Sequence, residues 1–149
     1  INNELERIGD EAVNIAHRVR SLAKRKTMDM VFDYSQMAEK VLKMLKTSLD
    51  ALEKMDRTFA FQVVAADDEV DALKSAAYDQ IKDAMAKNPD AMGYFMNLLL
   101  VSRHLERLGD HATNIAEEVI YLIEGEIIRH GKYISEPSVP HPSSGVPKA

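Results

Sequence analysis

A chain of 149 residues, 46% of them hydrophobic, has the length of one ordinary domain and enough apolar material for a sizeable core. It contains no Cys and no Trp, which excludes disulfides, thiolate metal sites and cysteine nucleophiles and leaves oxygen and His as metal donors. A net charge of -5 and a pI near 5.5 exclude nucleic acid as the main partner, since binding a phosphate backbone needs a basic surface.

The chain opens at Ile1 directly inside a motif-bearing helix, as a truncated or partly observed protein would. No apolar run approaches the roughly 20 residues of a membrane span and no signal-peptide pattern is visible, so a cytoplasmic location is the expectation. The first helix is predicted over residues 3–26 and closes on Lys24, Arg25 and Lys26, cations that complement the helix dipole. Thr27 or Asp29 is the expected N-cap of a second helix over residues 30–55. Its periodic apolar residues are Val31, Tyr34, Ala38, Val41, Leu45, Leu49, Leu52 and Met55. The methionines Met28, Met30, Met37, Met44 and Met55 read as core filling.

Met55, Asp56 and Arg57 break the pattern, and a third helix runs from there to about residue 87 on the stripe Phe59, Val63, Ala66, Val70, Leu73, Ala77, Ile81 and Ala84. Asn88-Pro89 is a helix start, with Asn as N-cap and Pro at the first helical position. The fourth helix is predicted to continue to about residue 129. From Tyr94 to Val101 it is apolar nearly all round, which predicts burial among several helices. Beyond Gly131 the Pro- and Ser-rich composition reads as a flexible tail over residues 131–149.

The first and fourth helices share a duplicated segment. Leu5 to His17 reads LERIGDEAVNIAH, and Leu105 to Glu117 reads LERLGDHATNIAE. Each copy sets Glu, Asp and Asn at i, i+4 and i+8: Glu6, Asp10 and Asn14, then Glu106, Asp110 and Asn114. On a helix such a row drifts only about 40° per step, so three oxygen-bearing side chains line one ridge. The apolar residues Leu5, Ile8, Ala12, Ile15 and Val19, with their counterparts Leu105, Leu108, Ala112, Ile115 and Val119, lie almost opposite that ridge. Two readings fit the ridge: a solvated polar face, or a surface site for hard or borderline cations completed by another helix. Gly9 and Gly109, mid-helix at equivalent places, point to close approach of a neighbouring helix. Asp67 and Asp71, spaced i, i+4 at the edge of the third helix's stripe, are placed to reach an adjacent helix, with Lys74 or Arg107 as alternative salt-bridge partners. His104 and His111 lack the Glu-x-x-His spacing of di-iron bundles and read as surface or interface histidines.

Glu-Arg-Ile/Leu-Gly-Asp followed by Asn-Ile-Ala, present twice at this separation, resembles the PhoU family of phosphate-signalling proteins over residues 1–130. The resemblance implies tandem three-helix bundles, each with a Glu-x-x-x-Asp motif on its third helix. The expected fold is therefore all-α and antiparallel: residues 1–26 as the last helix of a first, incomplete bundle, residues 27–130 as a second bundle, then the tail. In the family, an acidic motif on the middle helix faces the acidic row of the last helix. The implied metal site is Asp67, Asp71, Glu106, Asp110 and Asn114, with an equivalent at Glu6, Asp10 and Asn14 that lacks its upstream helix. The implied ligands are divalent or trivalent ions such as iron, zinc, manganese or magnesium.

By the same resemblance the protein is not an enzyme. It is a cytoplasmic, homodimeric negative regulator of the phosphate-starvation response, touching the membrane only through a phosphate ABC transporter and its sensor histidine kinase. The competing expectations are a carboxylate-bridged di-metal oxidase and a structural helical module without a site.

Overall fold

The computed structural model describes residues 1–25 and 31–125. Four helices carry the fold: α1 (Asn2–Ala23), α2 (Tyr34–Lys54), α3 (Arg57–Lys87) and α4 (Met92–Glu124). Among the described residues there is no strand, and no helix is long and apolar enough to cross a membrane. The tail, Lys26, the predicted caps Thr27 and Asp29, and Met28 and Met30 lie outside the described residues.

Local chemistry sets the helix ends. The second helix begins later than its periodicity predicts, because the Asp33 carboxylate accepts the backbone N–H groups of Ser35 and Gln36 at 3.0 and 3.4 Å and so caps α2 at Tyr34. Phe32, ahead of the cap, is buried in the core rather than wound into the helix. Met55 closes α2 in the left-handed conformation at φ 49°, with its N–H donating to α2 carbonyls. Asp56 then caps α3 at once through the N–H of Thr58 at 2.7 Å. After α3, Pro89–Ala91 forms a 3-10 turn, so α4 starts at Met92 rather than at the Asn88-Pro89 signal itself. Gly125, at φ 69°, ends α4 short of the predicted residue 129.

α2, α3 and α4 pack as an antiparallel three-helix bundle, and α1 lies against α4 alone. The core of the bundle is Met37, Val41, Met44 and Ala51 of α2, Ala60, Val63, Val70, Ala77 and Ile81 of α3, and Phe95, Leu98, Ala112, Ala116 and Val119 of α4. The buried face of α2 is thus centred on Met37 and Met44, with Leu49 and Met55 exposed, because the flexible methionines fill the space that β-branched or Leu side chains were expected to take. On α4 the repeat's stripe of Leu105, Leu108, Ala112, Ile115 and Val119 is buried throughout.

α1 differs. Ile8, Ile15 and Leu22 pack on the core, whereas Leu5, Val13 and Val19 are exposed, Val13 and Val19 by more than half. Leu5, Ala12 and Val19, three of the five stripe residues whose counterparts are buried in α4, are therefore uncovered in α1. The expected close approach fails at Gly9, where an added Cβ would meet nothing within 4 Å. At Gly109 it would meet Val70 Cγ1 at 3.6 Å and Met44 Cε at 3.8 Å, which is ordinary contact. Gly9→Ala is predicted to raise stability by up to about 1 kcal/mol through helix propensity. Met55→Gly, by relieving the left-handed backbone, should add about 1 kcal/mol. Urea unfolding of each variant checks both.

Candidate functional site

The two copies of the repeat lie antiparallel across one seam, joined by ion pairs. His104 Nδ1 stands 2.6 Å from Glu11 Oε2, and Arg107 donates to Glu11 Oε1 at 3.2 Å. His111 Nδ1 stands 2.7 Å from Glu4 Oε2, to which Asn114 Nδ2 also donates at 3.0 Å. By position in the repeat Glu4 corresponds to His104 and Glu11 to His111, so the contacts are exchanged crosswise. That exchange is what a local two-fold axis between antiparallel copies produces.

Burial would raise the Glu11 carboxyl, but its hydrogen bond to His104 and the charges of His104 and Arg107 hold it below the usual carboxylate range. Glu4 is lowered in the same way, with burial opposed by Asn114 and His111. The histidines are thus interface residues, as their spacing predicts. Their glutamate partners were missed, although Glu4, Ile8, Glu11 and Ile15 follow one helical face, and Glu4 and Glu11 are places where the copies differ in charge.

Along α4, beside this seam, the second acidic row forms the floor of a cleft. Asp67 and Asp71 of α3 line it opposite Arg7 and Glu11 of α1, with Asp110, Asn114, Thr113 and Glu117 of α4 between them. Glu106 continues the row one turn away, where it lines the adjoining groove with Asp110. The structure thus brings Asp67, Asp71, Asp110 and Asn114 to one cleft and Glu106 to its end. Thr113 Oγ1 donates to Asp67 at 3.1 Å, and Lys74 bridges to Glu106, the salt bridge weighed from the sequence. Arg107 pairs with Glu11 rather than with the acidic row. The first row has no such surroundings: Glu6 and Asp10 are exposed on α1, and Asn14 serves the seam by hydrogen-bonding to Glu11.

Asp110 carries the electrostatic strain. Desolvation, then the charges of Glu106, Asp67 and Asp71, push its carboxyl up to about 6, while Lys74 opposes them. Asp67 is also raised, first by burial and then by Asp71, Asp68 and Glu106 against the Thr113 hydrogen bond. Crowded oxygen donors of this kind suit a hard cation, whose charge would relieve the repulsion. As placed, no three His, Asp or Glu side chains among the described residues converge on one point, so a cation must draw Glu106 from Lys74 and turn the carboxylates inward.

Proton linkage gives opposite signs at the two features. A carboxyl raised in the folded state binds more protons than the unfolded chain between its ordinary value and about 6, so its contribution falls as pH rises through that window. Asp110→Asn should therefore raise the melting temperature at pH 7.5 and change it little at pH 4. Glu4 and Glu11, held low, contribute stability above their unfolded value and lose it as pH falls through their folded values. Glu11→Ala removes one partner from a buried pair and should cost about 3 kcal/mol at pH 7. Since α1 touches only α4, hydrogen exchange should show the loss first in α1.

Residues 34–119 match the family described as PhoU domain, a span that begins with α2 and takes in the α3 wall and the α4 floor of the cleft. The chain is similar to proteins named phosphate-specific transport system accessory protein PhoU homolog. It is 36% identical to that of Clostridium acetobutylicum over 126 residues, which cover 85% of this chain and 58% of that protein. It is 37% identical to that of Pseudomonas aeruginosa over 128 residues, covering 85% and 53%. The crystal structure of PhoU from Pseudomonas aeruginosa superposes with a TM-score of 0.79 at 36% identity, covering 83% of this chain and 59% of that one. The chain therefore spans little more than half the length of these relatives.

Proposed function

Because this chain belongs to the PhoU family, we propose that it acts as an accessory regulator of phosphate uptake and starvation signalling. It works by contact with a phosphate ABC transporter and a sensor histidine kinase on the cytoplasmic side of the membrane. The observation that carries the reading is the family match over the helices that build the acidic cleft. The homodimeric state implied by the resemblance belongs to the same proposal.

Metal binding at the cleft is part of it. Asp67, Asp71, Glu106 and Asp110 would hold the ion, with Asn114 as a neutral oxygen donor, and the ion would cancel the repulsion that raises Asp110. Glu6, Asp10 and Asn14 would form the equivalent site only with acidic groups from a further helix. Iron, zinc, manganese and magnesium are the candidates. A catalytic reading is disfavoured by the histidines: His104 and His111 face glutamates of α1 instead of joining the acidic row, whereas carboxylate oxidases bring His and Glu together in the bundle core.

Mass spectrometry of protein purified without chelator or affinity metal should find stoichiometric metal that falls at least tenfold in Asp110→Ala. In cells grown with ample phosphate, affinity capture should recover the transporter or kinase with the parent protein. Recovery of neither partner would contradict the regulatory role. Absence of metal from both proteins would leave the cleft as a partner-facing surface.

A further inference from the structure

The acidic row already holds one cation. Lys74 follows Asp71 by one turn of α3 and Asp67 by two, so positions 67, 71 and 74 share the face of α3 that meets α4. Its ammonium pairs with Glu106, whose side chain is 14% exposed against 39% for the lysine. No other ion pair among the described residues reaches Asp67, Asp71, Glu106 or Asp110. Lys74 also opposes the charges that crowd Asp110.

The remaining cations near the row do not take this place. Arg107 is held by Glu11. Arg7 lines the cleft from α1 and Arg103 lines the adjoining groove, but both are exposed and neither pairs with the row. A carboxylate closed on an ammonium is not offered to a second cation, in keeping with the lack of three converging acidic groups among the described residues.

The ammonium has room to leave. With Tyr78, Met96 and Leu99, Lys74 lines a groove of about 760 Å³ that adjoins the cleft between α3 and α4. Its outer side is open: Tyr78 is 55% exposed, and Met96 is 46% exposed although the apolar run of α4 predicts burial on all sides. A lysine stem lies readily along such an apolar floor with its charged head in water.

We infer that Lys74 is the resident cation of the acidic row, a tethered counter-ion that an incoming metal ion must displace from Glu106. The inference rests on the metal binding proposed above and names the residue that controls it. The row then has two states, one with Glu106 closed on the ammonium and one with Glu106 released to the ion and the lysine turned into the groove. A monovalent ion offers Glu106 no more charge than the ammonium does, whereas a divalent or trivalent ion does. The tether therefore selects for the higher charge.

The test uses the whole chain, with ferrous iron, zinc, manganese and magnesium ions each added alone. Calorimetric titration should show Lys74→Met binding an ion at least about tenfold more tightly than the parent, because a cation is removed from beside the site. Lys74→Arg, which keeps the charge, should bind no more tightly than the parent. Lys40→Met makes the same change in net charge at a lysine paired with Glu69 between α2 and α3, and should leave affinity unchanged. In the parent, acetylation of Lys74 by N-hydroxysuccinimidyl acetate should quicken at least about threefold when the ion is added, since an ion pair holds an amine in its charged, unreactive form. Acetylation of Lys40 should not change. A bound ion that leaves Lys74 labelling unmoved, or equal tightening in Lys40→Met, would overturn the inference and leave metal binding standing. Binding by Lys74→Met alone would uphold the inference and remove metal from the parent's function. No binding by either protein would overturn both.

Discussion

Glu11 is the only buried residue that α1 contributes, and its carboxylate is clamped between His104 and Arg107 of α4. A carboxylate taken out of water repays its desolvation only when its partners are well placed, and removing one of them exposes the full penalty. His104 depends on Glu11 in turn, because its Nε2 has no partner among the described residues. Ile8, Ile15 and Leu22 add apolar contact on either side. That contact is non-directional, whereas the crosswise Glu–His pairs specify an antiparallel register. The position of α1 follows from them.

The cleft depends on that position. With α1 held along α4, Arg7 and Glu11 form one wall and Asp67 and Asp71 the other, so the acidic row of α4 lies between them, with Asp110 still exposed. Confinement is what turns an ordinary row of carboxylates into a strained one: on a fully solvated ridge the charges of Asp67, Asp71 and Glu106 would be screened from Asp110. The α3 wall and the α4 floor continue into the apolar groove beside Arg103. One long surface feature therefore carries an oxygen-rich end and an apolar end.

Much of this was legible in the residues. Helical periodicity placed the α3 stripe and the buried face of the second repeat, and the duplication singled out the row at Glu106, Asp110 and Asn114. The spacing of Asp67 and Asp71 pointed to the helix across the cleft. What failed failed for local or three-dimensional reasons. Asp33 captured two backbone N–H groups and moved the start of α2. Met37 and Met44 rotated its buried face. Glu4 and Glu11 look like solvent residues in sequence, because a charged side chain inside an apolar stripe is intelligible only once its opposite number is known. The apolar run at Tyr94 to Val101 predicted full burial, but no described helix covers its outer side.

The central claim is that the carboxylates of the cleft are crowded enough to call for a cation, and the Asp110 carboxyl reports on it directly. A carbon-13 NMR titration of that side chain, run without metal and again with manganese replaced by diamagnetic magnesium or zinc, is the decisive measurement. The account predicts a midpoint near 6 in the metal-free protein, falling when the ion binds because a nearby cation favours the charged form. An Asp110 midpoint in the ordinary aspartate range, unmoved by any of these ions, would contradict it.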